Sequence, residues 1–286
     1  MILITGANGH LGGATIDFLL KKNPNSKIKA LVRAEEKGKD FKAKGVELAI
    51  GDYLNYDSLV NAFKGVETFL LVSSSTMGDR HAQHANAIKA AKQNGVKHIV
   101  YTSVLGGNPN SKFSAGIDHY KTEEDIKNSG IAYTIMRNTY YADFLPDIIG
   151  NALESGAIYY SSGNAKINFA ARINMAEANA VVLSDITNHQ NKIYEITSGS
   201  KYTFDEIAGM LSEITGKQIK YVDIPVEALK ENIIKFGMPK EVAELMGSIA
   251  ESMKAGEFDF IDPTLEKLLG RKPVDLKDFL LNVYKK

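Results

Sequence analysis

An apolar run, Ile2–Thr5, gives way at once to Gly6-Ala7-Asn8-Gly9-His10-Leu11-Gly12. Three glycines spaced three apart, after a strand and at the mouth of a helix reaching Lys22, constrain the fold more than any other feature. Gly6 permits a tight turn, Gly9 lets a pyrophosphate approach the backbone, and Gly12 lets helix and sheet pack closely. The helix opening then offers unpaired N–H groups and a positive dipole end to phosphates. Such a turn is common by itself. Placed after a first strand and followed by a second apolar run, Ile28–Val32, it predicts a dinucleotide site.

Further short apolar runs follow at Val46–Ile50, Thr68–Val72, His98–Thr102 and Ala132–Met136. Rich in Ile, Val and Leu, they read as strands of a parallel sheet buried on both faces. Helical stretches separate them. One begins after Asp79, a candidate cap, and ends at Gly95; another spans Thr122–Asn128. The alternation predicts an α/β fold, a Rossmann-type doubly wound parallel sheet, with a smaller, mainly helical C-terminal lobe. The expected division is 1–137 for the cofactor-binding domain and 138–286 for a substrate-covering lobe, part of 176–196 returning to the sheet.

Composition narrows the function. Lys and Arg total 34 and Asp and Glu total 34, so the net charge is +0. That balance argues against a nucleic-acid partner. The absence of cysteine removes thiol catalysis, thiolate metal sites and disulfides. No apolar run is long enough to span a bilayer, and the first residues lack a signal-peptide pattern, so a cytoplasmic protein without a membrane partner is expected. His81 and His84 stand three apart on a helix with no ligand set such as HExxH around them, so no metal site is expected.

The end of the second strand selects the cofactor. An NAD-preferring site places Asp or Glu there, whereas this chain has Ala30-Leu31-Val32-Arg33. Arg33 can pair with a 2′-phosphate through bonds worth roughly 1.5–3 kcal/mol, about a 10- to 100-fold preference for NADP. Lys37 is placed to add to it, while Glu35 and Glu36 weaken the field. Asp52 and Tyr53, past the third strand, are candidates for the adenine edge. Ser73, Ser74 and Ser75 end the fourth strand and Tyr101-Thr102-Ser103 the fifth, where ligands of open α/β sheets bind.

Together these residues resemble the NmrA-like family of atypical short-chain dehydrogenase/reductases, above all its bacterial quinone and triphenylmethane dye reductases. The likeness is carried by Thr5–Gly13, Leu31–Arg33, Gly51–Tyr53, Leu70–Ser75, Gln83–Ser103, His119–Ile126 and Ser129–Tyr141. Matches at Tyr194–Gly199, Thr203–Lys217 and Lys267–Pro273 extend it over nearly the whole chain. The resemblance implies NADP(H) bound at Gly6, Ala7, Asn8, Gly9, His10 and Leu11. It implies further contacts from Arg33, Ser73–Ser75 and Asn138, Thr139, Tyr140 and Tyr141. Arg172 matches an arginine of those reductases; a place in the cleft and an ion pair both stay open for it.

One departure matters. Short-chain dehydrogenases pair a Tyr with a Lys four residues on, and here Tyr120 meets Glu124 instead. A quinone asks less of the protein, because its reduced anion is a phenolate of pKa near 10 that water can protonate. If a side chain assists, His119 is the catalytic candidate, with Glu123 on the same helical face to orient it. Tyr140, Tyr141, Tyr159 and Tyr160 are candidates for a flat aromatic pocket. The expected function is an NADPH-dependent reductase of a small quinone- or dye-like acceptor, as monomer or homodimer. The alternative is an NADP(H)-sensing regulatory protein without turnover.

Overall fold

The computed structural model describes residues 1–76 and 78–285. It divides into two compact units interleaved along the chain. The first comprises Met1–Ser103, Asp118–Arg137 and Ile173–Tyr194; the second comprises Val104–Ile117, Asn138–Arg172 and Glu195–Lys286.

The first unit is built on a seven-stranded sheet. From one edge to the other its strands are Lys192–Ile196, Ala132–Asn138, His98–Val104, Thr68–Leu71, Ile2–Ile4, Ile28–Val32 and Glu47–Ile50. Ile2 pairs in parallel with Ile28 on one side and Thr68 on the other. The strand order therefore reverses at Ile2–Ile4, which makes the carboxyl end of that strand the topological switch point. All seven residues of His98–Val104 are buried, as a central parallel strand requires. Beneath the sheet Leu3, Phe69, Ile99, Tyr101, Ile126 and Ile135 share one apolar core, with Phe63 set edge-on to Phe69 at 4.7 Å. The helix after the fourth strand runs Arg80–Gln93. Asp79 caps it through its carbonyl, which accepts from Gln83 N at 3.0 Å, and not through its side chain.

The second unit carries more strand than the sequence suggests. Ile167–Ala170 stands between Tyr140–Tyr141 and Lys201–Tyr202, and Lys220–Asp223 pairs in parallel with Ala157–Tyr160. Helix Phe204–Thr215 opens with a capping box between Thr203 and Glu206 and ends at left-handed Gly216. Tyr160, Phe169, Phe204, Phe258 and Met253 fill the core of this unit. Among the described residues no helix is long and apolar enough to cross a membrane.

A buried histidine ties the sheet edge to pH. The Thr134 hydroxyl donates to the His189 carbonyl at 2.7 Å, so it must accept from His98 Nε2 at 2.8 Å. That leaves His98 Nδ1 buried without a partner. Burial, and then the neighbouring His189, lower the pKa of His98 to about 4. The unfolded chain binds this proton at about 6.5, so His98 contributes stability above that pH and loses it as pH falls towards 4. Between pH 7.5 and 5 the loss should be on the order of 2 kcal/mol. Denaturant titrations should show His98→Gln with a smaller pH-dependent loss than the parent; an unchanged loss contradicts the assignment.

Candidate functional site

The glycine turn lies at the switch point. Gly6 adopts φ +58, and its carbonyl accepts the N–H of Gly9 at 2.9 Å. A Cβ on Gly12 would stand 2.4 Å from the Gly6 oxygen and 2.8 Å from its carbonyl carbon. The helix His10–Lys22 thus starts against the turn's own backbone. Gly9, its N-cap, offers no side-chain bond, and its first turn holds no acidic residue. The first N–H groups and the dipole are left for an anion. Gly6, Asn8, Gly9 and His10 are exposed, whereas Ala7 and Leu11 are buried beneath them. Asn8 Nδ2 donates to the Lys37 carbonyl at 2.6 Å, and a cavity of about 280 Å³ opens between Asn8, Gly9 and His10 on one side and Lys37, Phe41 and Lys44 on the other. Asp40 also lines that cavity, so it is the open N–H groups at the helix start that suit an anion such as a pyrophosphate.

Arg33 ends the second strand exposed to solvent. Among the described residues it has no ion-pair partner, since the neighbouring Glu35 is taken up by Lys42. Asp52 closes a local turn, its carboxylate accepting from Leu54 N at 2.8 Å and its own N–H donating to Ser58 Oγ at 3.0 Å. The Tyr53 carbonyl accepts from Asn86 Nδ2 at 2.9 Å, and burial pushes its phenol pKa up.

The serine loop divides by residue. Ser73 N donates to Thr102 Oγ1 at 2.9 Å, while Ser73 Oγ is buried with no partner. Ser74 directs every polar group at the helix behind it. Its N–H donates to His84 Nε2 at 2.9 Å, its hydroxyl to Gln83 Oε1 at 2.6 Å, and its carbonyl accepts from Arg80 Nε at 2.6 Å. Ser75 is exposed. A backbone N–H can only donate, so His84 is neutral with its proton on Nδ1, facing Thr122 Oγ1 at 3.0 Å. Burial first, then Arg80 and His81, lower its pKa to about 3. Arg80, Gln83 and His84 are anchors that the sequence reading did not assign; their spacing on one helix face was the available signal.

Tyr101-Thr102-Ser103 does not face outward as its strand-end position suggests. Ser103 donates to Glu123 at 2.6 Å, Thr102 accepts from Ser73, and the Tyr101 hydroxyl meets His119 Nδ1 at 2.7 Å. His119 is therefore paired with Tyr101 and not with Glu123. The buried Glu123 is held by Arg137, Nε to Oε1 at 2.9 Å and a terminal nitrogen to Oε2 at 2.7 Å. Burial, reinforced by Arg80 and His84, holds His119 well below its ordinary pKa, so it is a neutral imidazole at neutral pH.

In the second unit, Asn138 and Thr139 are buried, and Thr139 Oγ1 donates to the Asn168 carbonyl at 2.8 Å. Tyr140 packs between Phe144, Phe169 and Phe258. Asn138 Nδ2 donates to the Tyr141 hydroxyl at 3.1 Å, leaving Asn138 Oδ1 buried and unpartnered. The four tyrosines form no common pocket: Tyr140 and Tyr160 are core residues and Tyr159 is solvent-exposed. Among the described residues no three His, Cys, Asp or Glu side chains group as a metal site would need.

Strand order and the open glycine turn define a Rossmann-type α/β protein. The chain belongs to the NmrA-like family, which matches residues 1–280. It is 36% identical to quinone oxidoreductase 2 of Escherichia coli (strain K12) over 285 residues, 99% of each chain. The crystal structure of the NADPH-dependent quinone oxidoreductase QOR2 from Escherichia coli, complexed with NADPH, has a TM-score of 0.95 and 34% identity, covering 99% of this chain and 100% of that one. Triphenylmethane reductase of Citrobacter sp., complexed with NADP(H), gives a TM-score of 0.93 at 36% identity, covering 99% and 100%.

The turn makes a direct prediction. Gly12→Ala sets a methyl group against backbone that cannot yield, so it should cost about 1–3 kcal/mol and lower the melting temperature. Gly209→Ala, whose Cβ meets nothing within 4 Å in the helix Phe204–Thr215, should be neutral or stabilising. Equal melting temperatures for the two variants would refute the close approach.

Proposed function

We propose that the chain is an NADPH-dependent reductase that passes hydride to a quinone or a similar flat, conjugated acceptor. The observations that carry this are the exposed Arg33, without an ion-pair partner among the described residues, and the uncapped glycine turn. Full-length likeness to quinone and dye reductases supports it. NADPH, when bound, supplies the hydride. The N–H groups of the Gly6–Leu11 turn hold the pyrophosphate, and Arg33 takes the 2′-phosphate, which NADH lacks. Asp52 and Tyr53 border the adenine. Ser73 and Ser75 are the members of the serine loop left to meet the cofactor, with Ser74 positioning them. Asn138 and Tyr141 offer side chains to it, and Thr139 and Tyr140 offer backbone.

The proton needs no strong acid from the protein. A reduced quinone anion has the basicity of a phenolate, and water protonates it. His119, neutral and paired with Tyr101, contributes a hydrogen bond and not a proton of low pKa.

Following NADPH absorbance with benzoquinones and naphthoquinones tests the reading, and oxidation at rates well above those without protein is expected. Cofactor binding without turnover of any acceptor would overturn it. For the cofactor, Arg33→Ala should weaken NADPH about 10-fold or more and leave NADH nearly unchanged. Equal losses for both would remove Arg33 from the 2′-phosphate.

A further inference from the structure

Strand order divides a dinucleotide between two sides of the glycine turn. Ile28–Val32, which leads into Arg33, flanks Ile2–Ile4 on one side, and Thr68–Leu71 flanks it on the other. A dinucleotide with its pyrophosphate on the turn and its 2′-phosphate at Arg33 therefore extends its nicotinamide half over the end of Thr68–Leu71. The serine loop starts there, coupled to the turn. Val72 N donates to Thr5 Oγ1 at 3.0 Å, and a Cβ on Gly6 would stand 3.1 Å from the Val72 Cβ. Behind the loop a single line of bonds reaches Ser74. The Thr122 hydroxyl donates to the Asp118 carbonyl at 2.8 Å, so it accepts from His84 Nδ1 at 3.0 Å, which leaves Nε2 to accept the Ser74 N–H at 2.9 Å. Each proton in this line has one place to go. His84 is wholly buried, with Tyr101 edge-on to it at 5.5 Å and Tyr53 edge-on at 6.4 Å. All of these residues belong to the first unit.

We propose that His84 is a positioning residue for the nicotinamide half of NADPH: it holds the Ser74 backbone so that Ser73 and Ser75 meet the cofactor in fixed register with the glycine turn. The proposal rests on the reductase reading. Arg80 and Gln83 also hold Ser74, through its carbonyl and its hydroxyl. The hydroxyl has a second neighbour in Thr76 Oγ1 at 3.1 Å, whereas among the described residues the N–H has His84 alone. Removing that acceptor leaves a part-buried donor unpaired, and the loop shifts to satisfy it. Hydride transfer is sensitive to a misplacement of about 1 Å, so a shifted loop costs turnover as well as affinity. Arg33 stands on the other side of the turn and does not depend on this bond.

The test separates the two halves of the cofactor. His84→Gln, His84→Asn and His84→Leu are compared with the parent for binding of NADPH, by its fluorescence, and of adenosine 2′,5′-bisphosphate, which lacks the nicotinamide half, by calorimetry. A glutamine amide reaches the position of Nε2 and can accept from Ser74. An asparagine amide reaches only the position of Nδ1, and leucine bonds to neither neighbour. His84→Gln should therefore bind NADPH within about 3-fold of the parent, and His84→Asn and His84→Leu about 10-fold more weakly, with kcat for a naphthoquinone falling by at least as much. Adenosine 2′,5′-bisphosphate should bind the parent and every variant alike. Should leucine unfold the buried site, the glutamine and asparagine variants carry the comparison. Equal NADPH affinity in His84→Gln and His84→Asn, or a matching loss for both ligands, would overturn the proposal. A parent that binds NADPH and turns over no acceptor removes the reductase reading, and the two binding series still decide His84.

Discussion

The contact between Gly12 and the Gly6 carbonyl sets the terms for the candidate site. With no side chain at either position, the first helix starts against the turn itself, at the strand where the sheet reverses direction. The absence of a capping side chain and of acidic residues leaves the opening N–H groups unsatisfied. Such groups are tolerated on a surface, yet their concentration at a switch point gives an anion several donors and a favourable dipole at once. On the proposed reading, Arg33 then separates one dinucleotide from another by a single phosphate.

Behind the turn, the unit spends its polar groups on rigidity. Ser74 is fixed through its N–H, hydroxyl and carbonyl by three side chains of one helix. Glu123 is held in the interior by Arg137 and Ser103, and His119 is occupied by Tyr101. Neutral imidazoles and high-pKa phenols dominate these networks, because burial disfavours the charged form of each. This arrangement orients a cofactor well and supplies little acid, which suits an acceptor whose reduced form is already a tolerable anion.

The parallel sheet was legible because buried strands read as apolar runs and glycines punctuate them; Ile28–Val32 has the same bounds in sequence and structure. The second unit was harder to read. Ile167–Ala170 contains Asn168, fully buried and bonded to Ser198 and Ser200, which breaks the apolar pattern of a strand. The helix Arg172–Ser184 buries Asn174 and Asn179 and lacks a polar stripe to mark its period. At the site, residue types and strand ends pointed to the turn and Arg33. They did not show which way a hydroxyl faces, so Ser103 and Thr139, both strand-end residues, proved to be bonded inward. The orientation of His119 towards Tyr101 depends on packing between a strand and a helix, which spacing along one helix does not encode.

The central claim is that an open turn and a free Arg33 hold a cofactor bearing a 2′-phosphate. Fluorescence titration of the unmodified protein with NADPH and NADH tests it most directly. The account predicts NADPH bound about 10-fold or more tightly, with the gap narrowing as salt screens the exposed guanidinium. Equal dissociation constants at low salt would contradict it.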